Sequence, residues 1–560
     1  MIPLPDLLFP RPAAGLDEGL LEEMLEVSFL GGDPGADLAR VMDSVALPPS
    51  PWNAEFFAEG LFLDDLVERC FSIDLAGRRF PVHRRFLATL LGKPPADPET
   101  VRYRQGILAE LEGDGAVRRR AESLYEQLFH LLGMFKSPGQ TLGRAGSIDQ
   151  AGYRLEVLRQ VARVVDALVD DFAGCASGLV RLHEVGVEIR ASPEHRTLTA
   201  LLDHEGHLSE LTLRVRVAAD GRIRSLDLDE LRENRANPYH RGPGRRWLDR
   251  LRVHWHGLDL DRSDVVNRLI VAVYGQIAPA LRTVLQVLGH LEVYLGALAW
   301  ADEARRRGLA VCRAELAAPG ERLELTGLFN PLLLRDGHEP PVPCDVAPEH
   351  AHPTVLVTGP NSGGKTRMLQ AVGIAQLLGQ SGLYVPARRA RLPLAQGLFV
   401  SLIEHATADQ TEGRLGAELV RIRRLFEEAR PGSVILLDEL CSGTNPSEAV
   451  EIFSLVLDLL RGLRSTTFIT THFLDYTREL AGRPPSADLE FLRVLATAEG
   501  VPTYRFTAGV AETSLAAATA RRMGVTFEGL ADLLVRRFGV PRPERREPRE
   551  PRGEDGGGRA

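Results

Sequence analysis

Three short stretches carry residue types suited to phosphate chemistry. The first is Gly359-Pro360-Asn361-Ser362-Gly363-Gly364-Lys365-Thr366. Its glycines allow a tight turn that aims backbone N–H groups inward, and a helix starting at its end adds partial positive charge. These eight residues are the expected ATP-binding loop. Lys365 would reach the β- and γ-phosphates, and Thr366 would ligate magnesium. Lysine occurs only at positions 93, 136 and 365 of the 560 residues, so the pattern rarely arises by chance in this composition. The second stretch is VILLDEL, Val434–Leu440. Four apolar residues make a buried strand whose end presents two acids. Asp438 would hold the metal with Thr366, and Glu439 would act as general base on the attacking water. The third is TFITTH, Thr467–His472. A histidine just past a strand end can meet a γ-phosphate or the water. The expected catalytic set is Lys365, Glu439 and His472, with ATP and Mg²⁺ as ligands.

Strands and helices must hold these groups. From Glu321 to about Val540 the pattern alternates strand and helix, which predicts an α/β P-loop domain with a parallel sheet over 321–540. Before it, residues 96–320 read as mainly helical. Leu155, Leu158, Ala162, Val165, Val169 and Phe172 are spaced 3-4-3-4-3, and Leu281, Val284, Leu288, Leu291, Leu295 and Leu298 repeat the spacing. Each set predicts an apolar stripe on one side of a long helix, roughly Ser147–Arg190 and Ser263–Arg307. At 1.5 Å per residue each would be on the order of 65 Å long, an antiparallel lever, with two ordinary core helices as the bland alternative. Pro279 should kink or break the second. Residues 191–262 read as a small insertion with a hairpin, Leu211–Val217 and Arg222–Leu228. It continues into Arg241, Arg245, Arg246, Arg250 and Arg252 with Tyr239, Trp247 and Trp255 interleaved, a candidate DNA contact or a solvated basic loop. Residues 1–95 read as short helices broken by Pro and Gly, and 541–560 as a disordered tail.

The net charge of −9 excludes a polycation, so any nucleic-acid site is a local patch. Five scattered cysteines argue against a disulfide framework or zinc site and fit a reducing, cytoplasmic setting. The start MIPLPDLLFPRP lacks the pattern of a signal peptide. Leu269–Ala301 is long and apolar enough to span a bilayer, yet Arg282, Gln286, His290 and Glu292 are costly there, so a buried helix is expected.

Taken together, GPNSGGKT, QSGLYVPA (Gln380–Ala387), LLDELCSGTNP (Leu436–Pro446) and TTHF resemble the ATPase of the MutS family. FNPLL (Phe329–Leu333) sits where that family's ATPase domain opens, and Gly509–Val525, around Ser514, resembles its closing segment. The loop and the VPA segment look closer to the anti-recombination paralogue branch than to mismatch-repair MutS. The resemblance is strong over about 320–540 and weaker over 100–320, where paired helices with an insertion resemble core, lever and clamp. It implies an ATP-hydrolysing homodimer, paired through its ATPase domains, that embraces duplex or branched DNA near the nucleoid. Departures stand out. Leu415 replaces the family's serine after Gly413-Arg414 in the loop reaching the partner's nucleotide, although Asp409 fits its acidic position. Pro341 replaces the aromatic that stacks on adenine, and Cys344 the asparagine near it. About 100 residues precede the core, too few for the mismatch-reading and connector domains, and no nuclease domain is expected after the ATPase. Phe57-x-Glu59 has the spacing of a mismatch-reading motif, but a tripeptide match carries almost no weight, and a packed aromatic beside a solvated acid is the expected reading. Two other readings compete: a transporter-type ATPase, for which no LSGGQ-like signature is found, and a nucleotide-switched lever acting on a protein or membrane partner without DNA.

Overall fold

The structure is a computed structural model that describes residues 5–542, apart from 33, 36, 137–146, 208–209, 218–222, 233–259, 319, 335–337, 361, 403–412, 442–445, 485–487, 498–500 and 513–523.

A six-stranded sheet organises the C-terminal side. Its spatial order is Leu398–Ser401, Val434–Leu437, Thr466–Thr470, Thr354–Thr358, Leu489–Ala496 and Pro502–Ala508. All neighbours are parallel except the last pair, an antiparallel hairpin. The parallel strands are nearly continuous apolar runs because both sheet faces are covered. Alternation sorts their side chains between two cores. Val355, Val357, Leu436 and Phe468 point into the larger one. Leu356, Ile435, Leu437 and Ile469 point into a second one with Phe453 and Leu457 of the helix Pro446–Gly462. This mostly parallel sheet, covered on both faces, is consistent with an α/β domain at the C-terminal side.

The larger core runs without interruption from Leu7 to Phe468, across the expected boundaries at 95 and 320. Its axis is the helix Leu260–Arg306, 47 residues and so about 70 Å long. Pro279 lies inside it without ending it. Ile277, Ala278, Ala280 and Leu281 are buried on either side of the proline, so tertiary packing holds both halves. The expected stripe is only part of this helix's apolar surface. Leu285, Val287, Val293 and Tyr294 are buried as well, so from Val284 to Leu298 it is covered all round like a core helix, not a coiled-coil seam. Arg268–Arg306 has the length and apolarity of a membrane span, but 94% of its apolar window is buried inside the protein.

The four polar residues of that helix explain what covers it. Arg282 pairs with Glu22 at 2.8 Å. Gln286 donates to the Ala14 carbonyl at 2.9 Å. His290 Nδ1 accepts from the Leu7 N–H, and burial pushes its pKa down, which keeps that nitrogen free to accept. Glu292, fully buried, accepts from the His83 N–H at 2.9 Å and meets the His83 ring and the Tyr125 hydroxyl. Residues 5–95 are therefore docked on the long helix through its own polar groups. They form helices Glu18–Leu30, Leu38–Asp43, Leu63–Cys70 and Arg84–Leu91, plus a hairpin, Ile73–Leu75 with Arg78–Phe80, absent from the sequence reading. Phe57 is buried edge-on to Trp52, so in this fold it is a packed core aromatic.

The expected helix Ser147–Arg190 needs correction. It is two helices, Ser147–Asp171 and Val180–Ala191, packed on each other. The break carries Gly174 and Gly178, and Glu110 accepts from the N–H groups of Ala176 and Ser177 at 2.7 and 2.9 Å. The first helix is then about 37 Å long, not a matched partner of the second. The insertion hairpin pairs Glu210–Val217 with Ile223–Arg232. Arg241, Arg245, Arg246, Arg250 and Arg252 lie outside the described residues.

Candidate nucleotide site

In this sheet the chain leaves the strand Thr354–Thr358 toward Leu398–Ser401 on one side, while it leaves the adjacent strand Thr466–Thr470 toward Leu489–Ala496 on the other. A ligand crevice forms at such a switch point, outside the strands' carboxyl ends. Here Gly359–Gly364 joins that strand to the helix Lys365–Gln380. Gly364 has φ +82° and Gly359 φ +142°, values a side chain rarely adopts, and a Cβ on Gly359 would stand 2.7 Å from Val494. The glycines at both ends of the pattern are thus required by the turn itself.

Lys365 is 96% buried, and its Nζ donates to the Gly359 and Pro360 carbonyls at 3.0 and 3.2 Å. Burial lowers its pKa, while the Glu439 and Asp438 carboxylates push the other way and favour the ammonium. Sheet register brings Leu437 beside Ile469, so Asp438 and Thr470 follow at the same edge. Thr366 Oγ1 donates to Asp438 Oδ2 at 2.6 Å, and Thr470 Oγ1 donates to Asp438 Oδ1. Thr470 Oγ1 in turn accepts from the Glu439 N–H at 2.9 Å. One threonine therefore positions both acids. Glu439 has φ +49°, an uncommon left-handed backbone for a non-glycine residue. The Thr366 hydroxyl and Asp438 carboxylate are hard oxygen donors brought within 2.6 Å of each other, which fits the donor chemistry of magnesium.

Lys365, Thr366, Asp438 and Glu439 line one cavity of about 640 Å³ with Ser362 and Gly364. The sequence reading missed five more residues there: Phe62, Arg367, Gln370, Leu402 and Tyr504. Tyr504 belongs to the edge hairpin and is 49% exposed, with φ +59°. Its ring lies against Gly364, 3.1 Å from where a Cβ would stand. A lone tyrosine in an alternating strand carries no signal of that role. Pro341 is outside the cavity lining, in the loop before the strand Cys344–Val346. His472 is exposed, its ring against Phe473, and is not among the described residues lining the cavity. Asn361, Asp409, Ser514 and the Leu415 side chain lie outside the described residues.

Known proteins are similar to this chain over the residues that carry the site. The family described as MutS domain V matches residues 355–528, which spans the phosphate loop, both acids and the edge hairpin. Endonuclease MutS2 of Thermus thermophilus is 32% identical over 283 residues, 49% of this chain and 35% of that protein. Endonuclease MutS2 of Thermomicrobium roseum is 29% identical over 297 residues, 50% of this chain and 36% of that protein. That of Streptococcus thermophilus is 29% identical over 275 residues, 48% and 33%. Across these matches, about a third of each relative's length is covered. Residues 355–528 thus match MutS domain V, and about half of this chain is similar to proteins of the MutS2 type.

Proposed function

We propose that this chain is an ATP-hydrolysing, DNA-binding protein that works as a homodimer through its ATPase domains. The observation that carries the reading is the convergence of Lys365, Thr366, Asp438 and Glu439 on one cavity at the sheet's switch point. In this reading Lys365 neutralises the β- and γ-phosphates, and the loop's N–H groups hold them. Glu439 orients the attacking water and takes its proton. Magnesium, held by Thr366 and Asp438, would supply charge neutralisation at the phosphates. Nucleotide binding biases the dimer between open and closed states to the extent that it binds one state better. Association is supported by the helix Phe527–Phe538, on which Leu530, Leu533 and Phe538 are exposed and only Ala531 is buried.

Tyr504 stands in for the missing aromatic at Pro341 and stacks on the base. Tyr504→Ala is expected to weaken ATP binding by about 1–3 kcal/mol, roughly 5- to 150-fold, while inorganic triphosphate binding stays unchanged. Equal loss for both ligands, measured by calorimetry, would remove the stacking role.

DNA binding rests on the basic run. A salt titration of duplex, branched and single-stranded DNA tests it, using wild type and an Arg245/Arg246/Arg250→Ala variant. Each arginine–phosphate pair removed should flatten the log–log salt slope by about 0.9 on duplex DNA. Salt-independent behaviour, or no binding with or without ATP, would sink the DNA reading in favour of a protein partner.

A further inference from the structure

Among the described residues, six non-glycine positions have left-handed backbone, and three of them, Phe62, Glu439 and Tyr504, line the same cavity. Strained backbone persists only where surrounding structure enforces it, and it clusters at functional sites. Glu439 and Tyr504 lie within the residues that match MutS domain V. Phe62 comes from nearly three hundred residues upstream of the phosphate loop.

Its segment is fastened at several points. Trp52 Nε1 donates to the Ala395 carbonyl at 2.9 Å. The Phe56 and Phe399 rings lie 4.9 Å apart. Gly60 fits so closely on Val400 that a Cβ would come within 2.6 Å. These contacts lay the segment along Leu398–Ser401, the strand at the end of the sheet order. At its end the Gly60 carbonyl accepts from Gln370 Nε2 at 3.2 Å. Gln370 Oε1 accepts from Arg367 and Asn330 at 2.9 and 2.8 Å. Gln370 sits one turn beyond Thr366 on the loop helix, so the tether runs directly from the phosphate loop's helix to the residue two before Phe62.

We propose that Phe62 is a nucleotide-contacting wall of the cavity and that the tethered segment Trp52–Leu63 is held against bound nucleoside triphosphate, linking occupancy of the site to the N-terminal region. The ring places apolar surface among Lys365, Thr366, Asp438 and Glu439, where excluding water strengthens every charge interaction with the phosphates. This rests on the nucleotide-site reading above.

The test pairs hydrogen exchange with binding, using AMP-PNP and magnesium on the full chain. In wild type, AMP-PNP is expected to slow exchange in peptides covering Ala58–Leu66. Phe62→Gly relaxes the left-handed backbone, so it should keep its melting temperature yet raise the AMP-PNP Kd about tenfold, a loss worth about 1.4 kcal/mol. Phe62→Leu should restore most of the affinity. Lys365→Ala, measured alongside, separates the two claims. Binding that depends on Lys365 but leaves exchange at 58–66 and the Phe62→Gly affinity unchanged overturns the role of Phe62 alone. Wild type that binds no AMP-PNP overturns both.

Discussion

Lys365→Ala is expected to abolish useful ATP binding, weakening it roughly 10²- to 10⁴-fold. The ammonium is the central positive charge of the cavity, with Asp438 and Glu439 close enough to act on its titration. Its charge-assisted bonds to two phosphates would be worth about 1.5–3 kcal/mol each. Once it is removed, two carboxylates face an anionic ligand without it. The fold should survive. The rest of the helix is anchored by Met368, Leu369, Val372 and Ile374, all buried, and Lys365 itself bonds only loop carbonyls. Calorimetric titration with a thermal melt separates lost affinity from lost structure. A variant that binds ATP within a factor of a few of wild type would exclude Lys365 as the phosphate ligand.

Glu439→Gln should separate binding from chemistry. The amide keeps the size of the side chain, and the Thr470 bond goes to the backbone N–H, so the left-handed turn is retained. What is lost is the base, worth about 10²- to 10⁴-fold in rate. One negative charge beside the triphosphate is also lost, so affinity should hold or rise. Single-turnover hydrolysis measures the first effect and equilibrium binding the second. Equal rates in variant and wild type would remove Glu439 as base.

The contrast between what was legible and what was not follows the range of the interactions. The phosphate loop and the Asp438–Glu439 strand end are local: glycine spacing, an apolar run and a following helix state them within a dozen residues. The apolar strands likewise announce a sheet buried on both faces. The break at residues 172–179 depends instead on Glu110, more than sixty residues earlier, capturing two backbone N–H groups. The long helix shows its stripe at 281–298, but its all-round burial depends on residues 5–95 folding back onto Gln286, His290 and Glu292. Phe62 and Tyr504 reach the cavity only through tertiary placement. Neither has a spacing that marks it, and the positive φ at each is invisible in residue type.

Phosphate release from Mg·ATP by the purified chain tests the account's central claim most directly. Release that requires magnesium, disappears in Lys365→Ala and falls at least a hundredfold in Glu439→Gln is the predicted result. Release that continues undiminished in Lys365→Ala, or a wild-type chain that neither binds nor hydrolyses ATP, would contradict it.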